Sequence, residues 1–406
     1  MAPPPREPTK QPSSPVPDAA AAAAIADELA RALAATGAER DRRGGHAKPE
    51  RDLIRRSGLL RASIPTDLGG WGLGWPEVMA MVRRLAEADG SLAHLFGFHH
   101  LLLATVRLFG TPEQYRALAA ASAAGDWFWG NALNPLDPRT VLTGGPDEFS
   151  MTGEKTFCSG ALDSDMLIVS ALRETDKKLI IAAIPTSREG VDVRDDWDNI
   201  GQRQTDSGSA GFRSVKIAAD EILSSPGPLG STFASIRSLI AQLVLCNVYL
   251  GLAAGGLAEA RGYTLEQHRP RYAGAPNPVP PREDPYVLHD YGSMWVELEG
   301  ARLLTERAGV TLGHVWARAD DLTPAERGEC SIAVAIAKAA TTRVGLDLAS
   351  RIFDVMSARA TAHKLGFDRF WRNLRTHTLH DPVDHKLREI GDWVLNGAIP
   401  PPSFYS

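Results

Sequence analysis

Three long helical segments in the second half of the chain constrain its fold more than any other feature. Apolar residues recur at helical spacing over residues 231–268, about 287–319 and 323–358. At 1.5 Å per residue, a segment of 30 residues or more runs to about 45 Å. Helices of that length bury their apolar faces by lying along one another, so the spacing predicts an antiparallel bundle. The third segment opens on Thr323-Pro324-Ala325-Glu326, a capping box with proline at the first helical position. The most apolar stretch, Leu239–Ala254, is broken by Gln242, Asn247 and Gly251. It falls short of the roughly 18 apolar residues of a membrane span and reads as a buried bundle helix. A proline-rich loop, Gly274–Pro281, joins two bundle helices and is a candidate mobile lid.

A different pattern precedes the bundle. Short apolar runs at Met166–Ala171, Leu179–Ile184, Val191–Val193 and Val215–Ile217 alternate with turn residues, among them Gly144-Gly145-Pro146-Asp147. Such spacing predicts an antiparallel barrel or sandwich. Before it, helical patterns return: an alanine-rich segment from Asp18 to Thr36, a helix ending at Gly58, another starting at Pro76, and a capping box at Thr111-Pro112-Glu113-Gln114. The chain therefore divides into a tail at 1–17, a helical region at 18–125, a β-region at 126–228 and a helical bundle at 229–406. The fold class is α+β, mostly α.

The tail is rich in proline, serine and lysine, has no apolar core, and is expected to be disordered. A net charge of −5 argues against a nucleic-acid partner. The three cysteines, Cys158, Cys246 and Cys330, are far apart and form no metal-binding pair spacing, which points to a reducing, cytoplasmic setting.

Chemistry concentrates in Gly366–Pro382, where three arginines and three aromatics precede His377 and His380. Positions three apart share a helical face, and imidazole is the side chain best matched to proton transfer near neutral pH. The segment reads as a cationic, aromatic-walled pocket with an acid/base group at its mouth. His377, His380 and His385 also have ligand-like chemistry, so a metal site is a second reading. No GxGxxG fingerprint in strand–turn–helix context and no P-loop occurs.

Gly366–Pro382 resembles the C-terminal signature of the flavin-dependent dibenzothiophene monooxygenases and their sulfur-acquisition relatives, enzymes built on the acyl-CoA dehydrogenase fold. Further resemblance lies in Asp89–Gly97, Gly153–Ala161, Ile184–Arg188, and Asp195-Asp196-Trp197 through Gly201–Ser209. The blocks follow family order and cover roughly residues 20–404. The resemblance implies a two-component enzyme. A separate NAD(P)H:flavin reductase would supply reduced FMN, and dioxygen would add at flavin C4a to give a hydroperoxide. One oxygen atom would then pass to an apolar organosulfur compound, a thioether or sulfoxide. An indole, phenol or amine substrate stays open, as does an FAD-dependent acyl-CoA dehydrogenase.

By the same resemblance, Asn131 and Ser159 face the flavin ring, Trp197 packs near it, and Ser207 contacts its phosphate or ring edge. Arg269 reaches the flavin phosphate of a neighbouring subunit in a homotetramer, and Arg359 lies beside the phosphate. His94 and Phe98 line the substrate cavity, with phenylalanine where desulfurising relatives carry tyrosine. His380 takes the place of the glutamate that dehydrogenases use as catalytic base, so His94, Ser159 and His380 are the expected catalytic residues. Phe353–Ala360 lacks the glycines of a pyrophosphate-binding loop, which favours FMN over FAD.

Overall fold

The computed structural model describes residues 16–145, 148–267, 269–272 and 274–406. The expected tail therefore lies almost wholly outside the described residues, as do Pro146 and Asp147 of the turn cluster.

Six helices come first: α1 (Ala19–Ala34), α2 (Gly37–Arg43), α3 (Lys48–Ser57), α4 (Trp75–Ala88), α5 (Gly90–Phe109) and α6 (Pro112–Gly125). Their ends follow local chemistry. Asp18 caps α1 by accepting from the Ala21 amide at 2.8 Å, Gly58 ends α3 at φ 77°, and the Thr111/Gln114 capping box is formed at the start of α6.

Seven strands follow: β1 (Trp129–Ala132), β2 (Val141–Gly144), β3 (Glu148–Lys155), β4 (Met166–Arg173), β5 (Leu179–Pro185), β6 (Val191–Val193) and β7 (Ala210–Ala218). They form one sheet in the order β1-β4-β2-β3-β7-β6, with β5 on β4. The antiparallel pattern expected from sequence holds for β2–β3, β3–β7, β4–β5 and β6–β7. Pairing of β4 with β1 and with β2 is parallel instead. Residues 166–169 of β4 take β1, and residues 172–173 take β2, so two short strands share the edge opposite β5. The inner face of the sheet builds its own apolar cluster around Leu142, Leu167, Ile184, Phe212 and Val215.

The bundle comprises α7 (Arg237–Glu266), α8 (Pro285–Arg318), α9 (Pro324–Met356), α10 (Asp368–Thr378) and α11 (Val383–Asn396). Helix α7 is apolar on every side and runs through the centre, against α4, α5, α8, α9 and α10. Two glycines let α4 approach it. A Cβ at Gly251 would fall 2.3 Å from the Arg83 carbonyl, and one at Gly255 would fall 2.1 Å from that of Glu87. The most apolar 18-residue windows of Gly90–Phe109 and Ala234–Glu266 are 94% and 89% buried inside this fold.

The Gly201–Ser209 loop is fastened to all three regions. Arg51 of α3 binds Asp206 at 2.9 Å, Gln204 accepts from Arg40 of α2 at 2.8 Å, and the Gln202 amide donates to Asn373 of α10 at 2.6 Å. On the sheet side, the Cys158 and Gly160 amides donate to the Gly208 and Thr205 carbonyls, each at 2.9 Å. Gln202 and Asp206 are held at φ 53° and 46°. Such left-handed non-glycine backbone persists where its surroundings over-determine it.

Candidate functional site

A cavity of about 740 Å³ opens between the sheet and the bundle. Seven of the nine residues predicted from sequence line it: His94 and Phe98 from α5, Asn131 from β1, Ser159, Trp197 and Ser207 from the loops, and His380. Arg269 and Arg359 are exposed and do not line it in this chain. The Gly274–Pro281 loop also lies away from it, so a lid role over this chain's own cavity gains no support.

The wall nearest the sheet is neutral and polar. Ser159 Oγ and Ser207 Oγ are 2.7 Å apart, and Ser207 Oγ donates onward to Thr205 Oγ1 at 2.7 Å. Trp197 Nε1 donates to the Gln202 carbonyl at 2.8 Å, fixing the indole, and Phe157 meets it edge-on at 6.0 Å. Phe157 is 60% exposed, with its backbone in the left-handed region at φ 59°. Gln202 Oε1 and Thr376 Oγ1, both buried in residues of the lining, have no hydrogen-bond partner among the described residues. A slot with neutral donors and acceptors at its edges and aromatic side chains on its wall fits a planar heteroaromatic group.

The opposite wall holds histidines. His94 stacks on Phe98 at 4.0 Å and meets the His377 ring edge-on at 4.7 Å. Burial, reinforced by His380, drops the His94 pKa to about 3. Burial, then His94 and His380, holds His377 well below the usual imidazole value. Both rings are therefore neutral at physiological pH. Each Nδ1 lacks a partner among the described residues.

His380 departs from the expected geometry. The sequence spacing placed it on a helical face with His377, but α10 ends at Thr378 and His380 lies in the turn beyond, its amide donating to the His377 carbonyl at 3.1 Å. Pro382 lacks the amide that would bind the Thr378 carbonyl and disfavours helical backbone at Asp381, so the helix cannot run on past this turn. The turn also changes the role of Asp381, which on a continuous helix would point about 100° away from His380. Here the His380 Nδ1 and Asp381 Oδ1 are 2.9 Å apart. A carboxylate can only accept at that distance, so the proton of this contact sits on Nδ1 and Nε2 is the ring nitrogen not engaged by Asp381. Burial opposes ionisation of Asp381, but the hydrogen bond from His380 and the nearby Lys338 ammonium outweigh it, and the carboxyl titrates well below its usual range.

Lys338 lies behind this pair, fully buried in α9. Its Nζ reaches Asp381 Oδ1 at 3.4 Å and the Tyr249 hydroxyl at 3.2 Å. Tyr249 in turn donates to the His377 carbonyl at 2.8 Å. Removing one partner of a buried ion pair leaves the other charge uncompensated, a cost of about 3–5 kcal/mol. Asp381→Asn should therefore destabilise the protein by roughly that much in a denaturant titration, and Lys338→Met in the same background should recover part of the loss. Unchanged stability in Asp381→Asn would mean that Tyr249 alone satisfies the ammonium.

Sequence reasoning missed Lys338, the Asp381 contact and Arg237. The available signal was a single charge inside an otherwise apolar helical run, as at Ala337-Lys338-Ala339 and Ser235-Ile236-Arg237-Ser238-Leu239. Among the described residues no three His, Cys, Asp or Glu side chains converge as a metal site.

Comparison with known proteins follows the same lines. Residues 18–126, 131–215 and 243–385 match the N-terminal, middle and C-terminal domain families of acyl-CoA dehydrogenase. The chain is 53% identical over 386 residues to a probable FMNH2-dependent monooxygenase, SfnC, of Pseudomonas putida, covering 95% of this chain and 97% of that protein. It superimposes on the methanesulfinate monooxygenase MsuC of Pseudomonas fluorescens with a TM-score of 0.93 and 52% identity, covering 97% and 100% of the two chains. FMN-bound TdsC of Paenibacillus sp. A11-2, a dibenzothiophene monooxygenase, superimposes with a TM-score of 0.90 and 42% identity, covering 95% and 100%.

Proposed function

This chain belongs to the FMNH2-dependent monooxygenases of the acyl-CoA dehydrogenase family, and on that premise we propose that it oxygenates the sulfur of an organosulfur compound with reduced FMN and dioxygen. The observation that carries this reading is the convergence of seven predicted flavin and substrate residues on one cavity. When bound, reduced FMN supplies the electrons that activate dioxygen. Asn131, Ser159 and Ser207 would hold its polar edges, with Trp197 beside it.

Phe98, Leu101, Leu245 and Phe404 would surround the hydrocarbon part of the substrate and exclude water. His94, kept neutral by burial, would present an uncharged imidazole there. His380 would hold or move a proton at Nε2, with Asp381 fixing its tautomer. The reductase partner follows from the dependence on FMNH2. Turnover under ¹⁸O2 with a flavin reductase, NADH and an organosulfur substrate should place one labelled oxygen in the product per cycle. Unlabelled product would end the proposal.

The homotetramer belongs to the same reading. Leu288, Trp295, Val296, Leu303 and Val310 form an exposed apolar stripe along α8, beside a groove of about 690 Å³ between α4, α7 and α8. A stripe of that length suits burial against another copy. Arg269, exposed beyond the end of α7, would then serve a neighbour's flavin phosphate, for which a guanidinium is well shaped, and Arg359 would lie beside a phosphate. Arg269→Ala should weaken FMN binding about tenfold or more, the scale of a lost charged hydrogen bond, measured by flavin fluorescence. Unchanged affinity would remove Arg269 from the phosphate site. A cytoplasmic location agrees with three buried free cysteines.

A further inference from the structure

Three residues assigned to the flavin, Asn131, Ser159 and Ser207, lie on separate segments that share one brace. Segment 158–160 runs beside 205–208, with the Cys158 amide donating to the Gly208 carbonyl and the Gly160 amide to the Thr205 carbonyl. The Asn131 amide joins them through the Ser159 carbonyl at 2.9 Å. Arg51 of α3, which does not line the cavity, ties this ladder across. Its Nη1 donates to Asp206 Oδ2 at 2.9 Å and its Nη2 to the Gly160 carbonyl at 3.0 Å. One planar fork thus grips the residues next to Ser207 and Ser159, whose hydroxyls are 2.7 Å apart.

The guanidinium is fixed in its plane. It is fully buried, lies over the Phe128 ring at 4.4 Å, and has Asp163 at 3.4 Å from Nε. Both gripped residues carry left-handed backbone, Gly160 at φ 70° and Asp206 at φ 46°. Such backbone is kept by its surroundings, and its release at Asp206 would carry the adjoining hydroxyl with it. Other side chains hold one segment at a time. Arg40 bonds Gln204, and the His46 ring meets Asp206 Oδ2 at 2.7 Å, but among the described residues neither side chain bonds 158–160.

We propose that Arg51 is a positioning residue of the flavin site: through Gly160 and Asp206 it sets the separation and direction of the Ser159 and Ser207 hydroxyls, and so the resting place of the flavin edge they meet. The inference rests on the assignment of those hydroxyls to FMN above, and adds a residue that touches neither flavin nor substrate. Placement matters to the reaction because a displacement of about 1 Å can cost on the order of 10²-fold in rate.

Arg51→Lys keeps the charge beside Asp206 but replaces the fork with a point charge. It would be compared with wild type, with Ser159→Ala/Ser207→Ala, and with the triple variant. Oxidised FMN is the probe, its affinity read by fluorescence and its orientation by visible circular dichroism at saturating FMN. Arg51→Lys should weaken FMN binding about three- to tenfold, the scale of one misaligned neutral hydrogen bond, and should alter the dichroism of the bound flavin. The serine variant should weaken binding about tenfold or more. On that background Arg51→Lys should change affinity by less than about twofold, because both act through the same hydroxyls. An equal loss on both backgrounds, or wild-type dichroism at saturation, would overturn the proposal and leave Arg51 a support of the fold alone. A serine variant with wild-type affinity would instead overturn the assignment of the hydroxyls to FMN, and the proposal with it. Asp206→Asn gives the same comparison should Arg51→Lys fail to fold, with the same non-additivity expected.

Discussion

Replacing His380 with alanine should reduce product formation by roughly 10²–10⁴-fold, the range for loss of a positioned acid/base group, while FMN affinity stays nearly unchanged. The separation is geometric. His380 enters the cavity from the turn after α10, whereas the polar slot assigned to the flavin is built from Asn131, Ser159, Ser207 and Trp197 of the β-region. No hydrogen bond joins His380 to that slot; its ring is anchored through Nδ1 to Asp381. The variant should still consume reduced flavin and dioxygen but release hydrogen peroxide in place of oxygenated substrate. Peroxide yield, product yield and FMN affinity measured on one preparation separate the cases. Equal turnover in the variant would remove His380 from the chemistry. Loss of FMN affinity would make it a flavin ligand instead.

Acid should unfold this protein unusually early. Four histidines are buried and hold depressed pKa values: His94 at about 3, His99 at about 4, and His100 and His377 well below the ordinary value. Burial is the leading cause in each. His99 Nε2 bonds the Leu60 carbonyl at 2.8 Å and His100 Nδ1 the Ser63 hydroxyl at 2.8 Å, so neither ring is free to turn to water. In the unfolded chain all four titrate near 6.5. Between that value and about 4 the unfolded state binds more protons, so stability rises with pH. The contribution is complete above about pH 6.5 and is lost as pH falls towards the folded values. Each histidine contributes about 1.4 kcal/mol per pH unit, so together they remove several kcal/mol per unit. A domain has only about 5–15 kcal/mol to lose. Urea midpoints at pH 8, 6.5 and 5 should be similar for the first two and sharply lower at the third. A flat series would show that these imidazoles are protonated without unfolding.

How much of this was legible in sequence depends on how local each determinant is. The capping boxes at Thr111 and Thr323, the glycine ending α3 and the extents of α7, α8 and α9 follow from adjacent residues, and they were read. Strands β1, β2 and β3 were not: Trp129-Gly130-Asn131-Ala132 and Val141-Leu142-Thr143-Gly144 are too short to show a period, and Glu148–Lys155 carries only Phe149 and Met151 as apolar residues. The parallel pairing of β4 is set by where the chain returns, which no window contains. The cavity residues came from family resemblance, not periodicity, and that source was silent on Arg237 and Lys338. Their meaning depends on which side chains from distant segments do or do not meet them. His380 is the instructive case: Pro382 was visible and marked a helix end close by, but not on which side of the histidine the last turn would close.

The fastening of the Gly201–Ser209 loop bears on how such enzymes can be recombined. Its anchors lie in α2, α3, the strand-end segment 158–160 and α10, so the loop has no single parent region. A chimera that exchanges the sheet between two relatives would carry Asp206 away from Arg51 and Gln204 away from Arg40, and would leave Asn373 facing an untested partner. Inheritance here passes through a junction and not through modules, and a breeder of new specificities would do better to transplant the loop together with its four anchors.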